Sequence, residues 1–134
     1  MSMALGSIEL PGDLRWADEF VWLPTVAQVE LACNGAVWVE ESAQLAGRPI
    51  TLESGTDGGS RHWAVVSRST VAALHTLGSV THASPLLLVL EDARSFNVRF
   101  RHQDGPAVEA RPIRHVAPHQ AGDLYHITLR LMQV

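Results

Sequence analysis

The dipeptide Asn34-Gly35 lies between two runs of alternating apolar and polar residues, and it constrains the fold more than any other feature. Asn-Gly is the strongest short-range signal for a tight turn between paired antiparallel strands. Residues 26–33 alternate before the turn, and residues 36–42 alternate after it. Each run places its apolar side chains on one face, which is typical of a half-buried strand. The pattern therefore predicts a β-hairpin with one face directed at a core.

Further segments along the chain also have the composition or the alternation of strands. They are residues 50–53, 63–66, 86–90, 95–101, 107–113 and 124–134. Residues 86–90 are continuously apolar, so we expect a central strand buried on both faces. Pro112 cannot donate a hydrogen bond within a sheet, which predicts that its strand lies at an edge or ends there.

Two of these strands have a clear inner face. In residues 95–101 the aromatic and branched side chains are expected to point inward and the polar ones outward. The inward set is Phe96, Val98 and Phe100, and the outward set is Asn97, Arg99 and Arg101. The closing strand places Tyr125, Ile127, Leu129 and Leu131 on one face, because side chains two apart share a face.

One segment has a helical period instead. Its larger apolar residues recur three apart, at Val71, Leu74 and Leu77. Ser67 or Ser69 is a suitable N-cap that accepts a hydrogen bond from a free backbone N–H. Gly78 is placed to adopt the left-handed conformation that ends many helices. The sequence therefore predicts one amphipathic helix over about residues 68–77.

Together these elements predict an α+β, mainly β fold. We expect an antiparallel β-sandwich or split barrel with the one helix on its flank. The length of 134 residues suits a single domain spanning 1–134. Residues 1–24 contain two tryptophans and several apolar side chains. They are expected to form an N-terminal arm packed on the domain or on a neighbouring subunit.

Composition excludes some partners and favours others. The net charge is −4, and the ten basic residues are all arginine and scattered, which argues against a nucleic-acid-binding surface. The longest purely apolar run, residues 86–90, is too short to insert into a membrane. Only 18% of the residues are charged, which favours a surface covered partly by other subunits.

Candidate reactive residues do not form a recognisable catalytic or metal-binding pattern. His115 and His119 are four apart, but Pro118 lies between them and the segment has no helical period, so a zinc site is not expected. Cys33, beside the hairpin turn, is expected to be a small buried apolar residue. The pair Asp18-Glu19 is interpreted as solvated charge. We therefore expect no catalytic, cofactor-binding or metal-binding residues, no cofactor, and no enzymatic activity.

The aromatic residues are the best candidates for binding. Tryptophan is enriched in cores and interfaces, and it also stacks on sugars and bases. Core and interface positions are favoured, with carbohydrate or peptide binding as the alternative. The candidate interface residues are Trp16, Phe20, Trp22, Trp38 and Trp63.

Most of the chain resembles small tail proteins of tailed bacteriophages and prophages. The segments that carry the resemblance begin with residues 10–19 (LPGDLRWADE) and 47–53 (GRPITLE). They continue with Trp63, 69–74 (STVAAL), 96–102 (FNVRFRH) and 125–131 (YHITLRL).

The resemblance implies a structural role as a tail-tube or distal-tail, baseplate-ring subunit. It implies self-assembly into a ring, commonly a hexamer in such proteins, and contacts with other tail or baseplate proteins. The expected location is the virion tail, after synthesis in the bacterial cytoplasm. A non-catalytic β-sandwich that binds carbohydrate or peptide remains the alternative function.

Overall fold

A computed structural model of the chain describes residues 2–59, 61–115 and 117–134. Along those residues lie thirteen strands, one α-helix and one turn of 3-10 helix (His102–Asp104). The strands are β1 (Met3–Leu5), β2 (Ile8–Leu10), β3 (Arg15–Trp16), β4 (Thr25–Leu31), β5 (Val37–Ala43), β6 (Pro49–Glu53), β7 (Gly55–Thr56), β8 (His62–Trp63), β9 (Val66–Ser67), β10 (Leu86–Val89), β11 (Ser95–Phe100), β12 (Val108–Pro112) and β13 (Leu124–Gln133), and the helix is α1 (Arg68–Gly78). The predicted α+β, mainly β class is confirmed.

The last strand, β13, organises a nine-stranded antiparallel sheet. Its first half pairs with β9 and β12, and its second half pairs with β6 and β11. From β11 the sheet continues through β10 and β1 to β2, and from β6 it continues to β3. Every strand of this sheet therefore reaches β13 directly or through a neighbour. We refer to the sheet, with α1 and its connecting segments, as the body.

The core lies on one face of this sheet. The predicted inner face of β13 is confirmed, because Tyr125, Ile127, Leu129 and Leu131 are all buried. Leu74 from α1 packs into the same cluster and is completely buried. Burial of a leucine or isoleucine side chain contributes about 1.5–3 kcal/mol, so these positions stabilise the sheet strongly.

The helix begins at Arg68 as predicted, but the capping at both of its ends differs from the prediction. Ser67 is the N-cap, yet its hydroxyl contacts the hydroxyls of Ser69 and Thr70 instead of a backbone N–H. The N–H groups of Arg68 and Ser69 donate instead to the carbonyls of Asp123 and Ala121 in the loop before β13.

The prediction that Gly78 adopts a left-handed conformation after the helix is wrong. Gly78 is the last helical residue, and Ser79 follows in a right-handed conformation. Close packing accounts for the glycine, because a Cβ at this position would lie 3.2 Å from Cγ2 of Val108.

The prediction that residues 86–90 are buried on both faces is also wrong. Leu88 and Leu90 are buried, but the Leu87 side chain is 49% exposed. Helix α1 and the core cover one face of the sheet, as is common for antiparallel sheets, and the other face of β10 meets solvent.

The predictions for β11 and for Pro112 agree with the structure. In β11 the inward-facing residues Val98 and Phe100 are buried. The edge assignment for Pro112 is confirmed, since it ends β12, which pairs only with β13 among the described strands.

A short hairpin of β7 and β8 packs beside the sheet. Gly55 lies opposite Trp63 in the register of this hairpin. A Cβ at Gly55 would lie only 2.4 Å from a carbon of the Trp63 ring, so the indole occupies the space that a side chain would need. Trp63 in turn packs against the core cluster.

Replacing Gly55 by alanine should therefore destabilise the protein. Trp63 must leave its position over Gly55, and overpacking of this kind typically costs about 1–3 kcal/mol. The matched control is Gly59→Ala, because a Cβ there meets no atom within 4 Å. Urea denaturation measures both variants, and equal free energies of unfolding for the two would contradict the packing described here.

Candidate assembly surface

Strands β4 and β5 form a hairpin that belongs to no other sheet. Among the described strands they pair only with each other, through seven consecutive residue pairs. All seven residues of each strand are exposed. The hairpin and its turn are confirmed, but the prediction that its strands are half-buried is wrong. We call residues 20–45 the projecting hairpin.

The two faces of the projecting hairpin differ in chemistry. The register places Ala27, Val29 and Leu31 opposite Glu41, Val39 and Val37, so these six residues share one face. This apolar face contains one charge, that of Glu41. The other face carries Val26, Gln28, Glu30, Trp38, Glu40 and Ser42. The alternation that normally marks a buried face is thus present, but the described residues of the chain do not cover it.

Further apolar side chains extend this exposed surface towards the base of the hairpin. They are Phe20, Val21, Leu23 and Leu45, and Phe20 is 88% exposed. Monomeric proteins rarely leave large apolar patches uncovered, whereas single exposed apolar residues are common. The concentration of such residues between 20 and 45 therefore indicates an interaction surface.

Three of the predicted interface residues lie on the projecting hairpin. Phe20 and Trp38 are exposed, the latter by 66%, and Trp22 is half-buried. The prediction that Cys33 is buried is wrong, because it is exposed beside the hairpin turn. A residue in a projecting turn has no core to enter, whatever its hydrophobicity.

The other two predicted interface residues belong to the body. Trp16 and Trp63 are half-buried and pack against the core cluster. The Trp16 ring meets Phe96 edge-on at 5.6 Å between centroids. Its Nε1 donates to the carbonyl of Pro49.

Charged residues anchor the chain where it enters the projecting hairpin. Asp18 accepts hydrogen bonds from the backbone N–H and the hydroxyl of Thr51, at 2.9 and 2.8 Å. Arg101 donates to the same hydroxyl and lies 3.8 Å from the Asp18 carboxylate. These contacts make the outward prediction for Arg101 wrong, since its side chain is only 11% exposed. The interpretation of Asp18 as solvated charge is wrong for the same reason.

A second set of contacts holds Glu19. Its carboxylate pairs with Arg94 at 2.8 Å, and its backbone carbonyl accepts from Arg48 at 2.8 Å. The hydrogen bond with Glu19 raises the pKa of the Arg94 guanidinium. Both guanidinium groups lie near the Trp16 ring, 4.5 Å away for Arg48 and 5.4 Å for Arg94. Such contacts are favourable because the ring face is electronegative.

Backbone hydrogen bonds anchor the exit from the hairpin. Gly47 donates to the carbonyl of Gln133, and Gln133 donates to the carbonyl of Arg48, at 2.8 and 2.9 Å. Near the entry, Ala17 donates to the carbonyl of Thr51 at 2.8 Å. The base of the hairpin is therefore fixed to β6 and β13 from both sides. We call Asp18, Glu19, Arg48, Arg94 and Arg101 the root cluster.

The sequence reasoning missed the root cluster. Its members are distant in sequence, and Arg94 and Glu19 are 75 residues apart. None of them has the short-range spacing of a motif. The one available signal was the position of Asp18-Glu19 directly before the exposed apolar residues that begin at Phe20.

Two histidines, His62 and His126, lie close together. Nδ1 of His62 and Nε2 of His126 lie 2.9 Å apart, beside a shallow cleft that Glu109 and Arg111 also line. Partial burial, and secondarily the neighbouring His62, lower the pKa of His126.

Neither a metal site nor a membrane span is found in the described part of the chain. Across residues 2–59, 61–115 and 117–134, no three His, Cys, Asp or Glu side chains are grouped to hold a metal ion. Helices in the same ranges are too short or too polar to cross a membrane.

Comparisons with known proteins identify no relative. No family model, curated protein or solved structure matches the chain. Its function must therefore be inferred from the projecting hairpin and its anchorage.

The root cluster should contribute measurably to stability through Asp18. Asp18→Ala removes the acceptor of the Thr51 N–H and hydroxyl and the carboxylate near Arg101, and we expect the free energy of unfolding to fall by about 1–3 kcal/mol. Asp104 also pairs with Arg101, at 2.7 Å, but its side chain is 56% exposed. Asp104→Ala is the matched control, with an expected loss of about 0–1 kcal/mol. Urea denaturation that gives Asp18→Ala no larger a loss than Asp104→Ala would contradict the anchoring role.

Proposed function

We propose that this protein is a structural subunit of a bacteriophage or prophage-derived tail that assembles into a ring through its projecting hairpin. The observation that carries the proposal is the exposed apolar face made by β4 and β5. Burial of such a face is worth about 25 cal/mol per Å² of apolar area, which provides a driving force for association.

The surface area of the chain supports association. The chain exposes 8600 Å². A compact monomer of 14.6 kDa is expected to expose about 6,900 Å². The excess of about 1,700 Å² on one chain is about twice the roughly 800 Å² that each partner contributes to a standard stable interface. Association that covers the projecting hairpin would remove a surface of this order.

The anchorage of the hairpin supports a structural role. A free, flexible hairpin would lose conformational entropy on binding, which lowers affinity. The root cluster and the backbone bonds of Gly47 and Gln133 hold its base before any partner arrives. A pre-positioned hairpin is suited to repeated, identical contacts between subunits. The resemblance of several segments to small phage tail proteins favours a tail as the assembly to which this subunit belongs. Its neighbours would then be other tail or baseplate proteins.

A second candidate function is carbohydrate or peptide binding at Trp38. This indole is exposed and lies directly across from Glu30, with Glu40 two residues away on the same face. Aromatic faces bordered by hydrogen-bonding groups bind sugars. Quenching of Trp38 emission by a glycan, in a protein that stays monomeric, would favour this candidate over the tail subunit.

Placing charges on the apolar face should abolish association without unfolding the body. In Val29→Lys/Val39→Glu the new charges lie directly opposite each other, so the hairpin keeps a favourable cross-strand pair. The matched control is Val26→Lys/Ser42→Glu, which makes the same change on the other face.

Light scattering after size exclusion measures the mass of each form. We expect a multiple of 14.6 kDa for the parent protein and the control, and 14.6 kDa for the apolar-face variant. Electron microscopy of the assembled form should show closed rings. A parent protein that remains monomeric at high concentration would contradict the proposal.

A further inference from the structure

The charges of the projecting hairpin limit what its apolar face can bind. Residues 20–45 contain Glu30, Glu40 and Glu41 and no basic residue. Within the described ranges none of the three carboxylates takes part in an ion pair. Two such hairpins packed face to face would bring like charges together, which is unfavourable. A second hairpin is therefore a poor partner for the first.

Glu41 makes the requirement more specific. It is the only charged residue on the apolar face, opposite Ala27 in the register. A carboxylate buried without a partner costs several kcal/mol, so a stable interface over this face must supply Glu41 with a cation or with hydrogen-bond donors. A partner surface that combines apolar area with an available guanidinium or ammonium group meets this requirement best.

The body of the same protein carries a surface of this description. Arg114 follows β12 by two residues and is exposed. Nine of the ten arginines take part in an ion pair or a side-chain hydrogen bond, and Arg114 is the exception among the described residues. Next to it, the N–H of Ile113 donates to the carbonyl of Leu124, whose side chain is half exposed.

Two more features of this region suit a docking strand. Arg111 is 82% exposed and only loosely paired, 3.8 Å from Glu109. Strand β12 pairs on one side only among the described strands, so its other edge offers backbone donors and acceptors. We refer to Arg111, Arg114, Leu124 and the free edge of β12 as the β12 surface.

We propose that the projecting hairpin of one copy docks on the β12 surface of a second copy, with Glu41 paired to Arg114. The inference rests on the proposed self-assembly and names the contact through which it occurs. The hairpin and the β12 surface are different parts of the chain, so the contact is head-to-tail. Head-to-tail contacts generate a ring when the rotation between copies closes, and a filament when it does not.

A charge-swap cycle tests this contact. Glu41→Arg and Arg114→Glu each place like charges opposite one another, and each should weaken self-association by about tenfold or more. The double variant restores opposite charges with their positions exchanged. Its association constant should return to within about threefold of the parent value.

The control is Glu9→Arg, which changes an exposed carboxylate of β2 that also lacks an ion pair in the described ranges. It should leave association unchanged. Analytical ultracentrifugation gives the constants, and circular dichroism verifies that each variant is folded. Raising the salt concentration should weaken association of the parent protein and of the double variant alike.

The outcomes separate this contact from the proposed assembly as a whole. If the parent protein associates but the single variants associate as tightly, or the double variant fails to recover, the Glu41–Arg114 contact is overturned and assembly through the apolar face stands. If the parent protein does not associate, both proposals are overturned. Weaker self-association of both single variants, with recovery of the association constant in the double variant, supports the contact.

Discussion

The pairing of β13 is the constraint on which the rest of the structure depends. One strand of ten residues joins four others, and it contributes four buried side chains to the core. Gln133, near the end of β13, also accepts a hydrogen bond from the Gly47 N–H and donates one to the Arg48 carbonyl. The position of the projecting hairpin is thus a consequence of how β13 pairs with β6.

Hydrogen bonds and ion pairs also help the sheet to fix the base of the projecting hairpin. Ala17 donates its N–H to the carbonyl of Thr51 in β6, and Thr51 donates its own N–H to Asp18. The entry to the hairpin is therefore fixed to β6, which follows directly on its exit. Arg94 and Arg48 then hold Glu19 beside the Trp16 ring. Half-buried charged residues of the root cluster thus orient the projecting hairpin, although its apolar face has no partner in the described part of the chain. This arrangement suits the proposed assembly, because the base of the hairpin is held in place without a partner.

The sequence predicts local features of this fold well and distant ones poorly. The hairpin at Asn34-Gly35 and the apolar face of each strand were predicted from short-range chemistry. The loop is one residue longer than Asn-Gly alone, because Ala32 pairs with Ala36, and this register puts the two apolar runs on the same face. Alternation identifies which face is apolar, but it carries no information on whether the same chain covers it. For that reason the predicted half-burial was wrong while the faces were correct. Cys33 and Leu87 differ from prediction for related reasons, since exposure depends on what packs over an element.

The root cluster lay beyond sequence reasoning. Asp18 and Thr51 are 33 residues apart, and Arg101 is 50 residues from Thr51, so no periodic pattern links them. The pairing of β3 with β6, of β6 with β13 and of β13 with β11 brings these segments together. The end of α1 also depends on a distant residue. The close approach of Val108 favours glycine at position 78, and the backbone conformation of Gly78 does not require it.

Hydrogen–deuterium exchange at a series of protein concentrations tests the central claim most directly. If other copies cover the projecting hairpin, backbone amides of residues 25–43 should exchange more slowly as concentration rises. Amides of β6 and β13, already paired within the body, should exchange at a constant rate. Exchange of residues 25–43 that is rapid and independent of concentration, in a protein that is otherwise folded, would contradict the account.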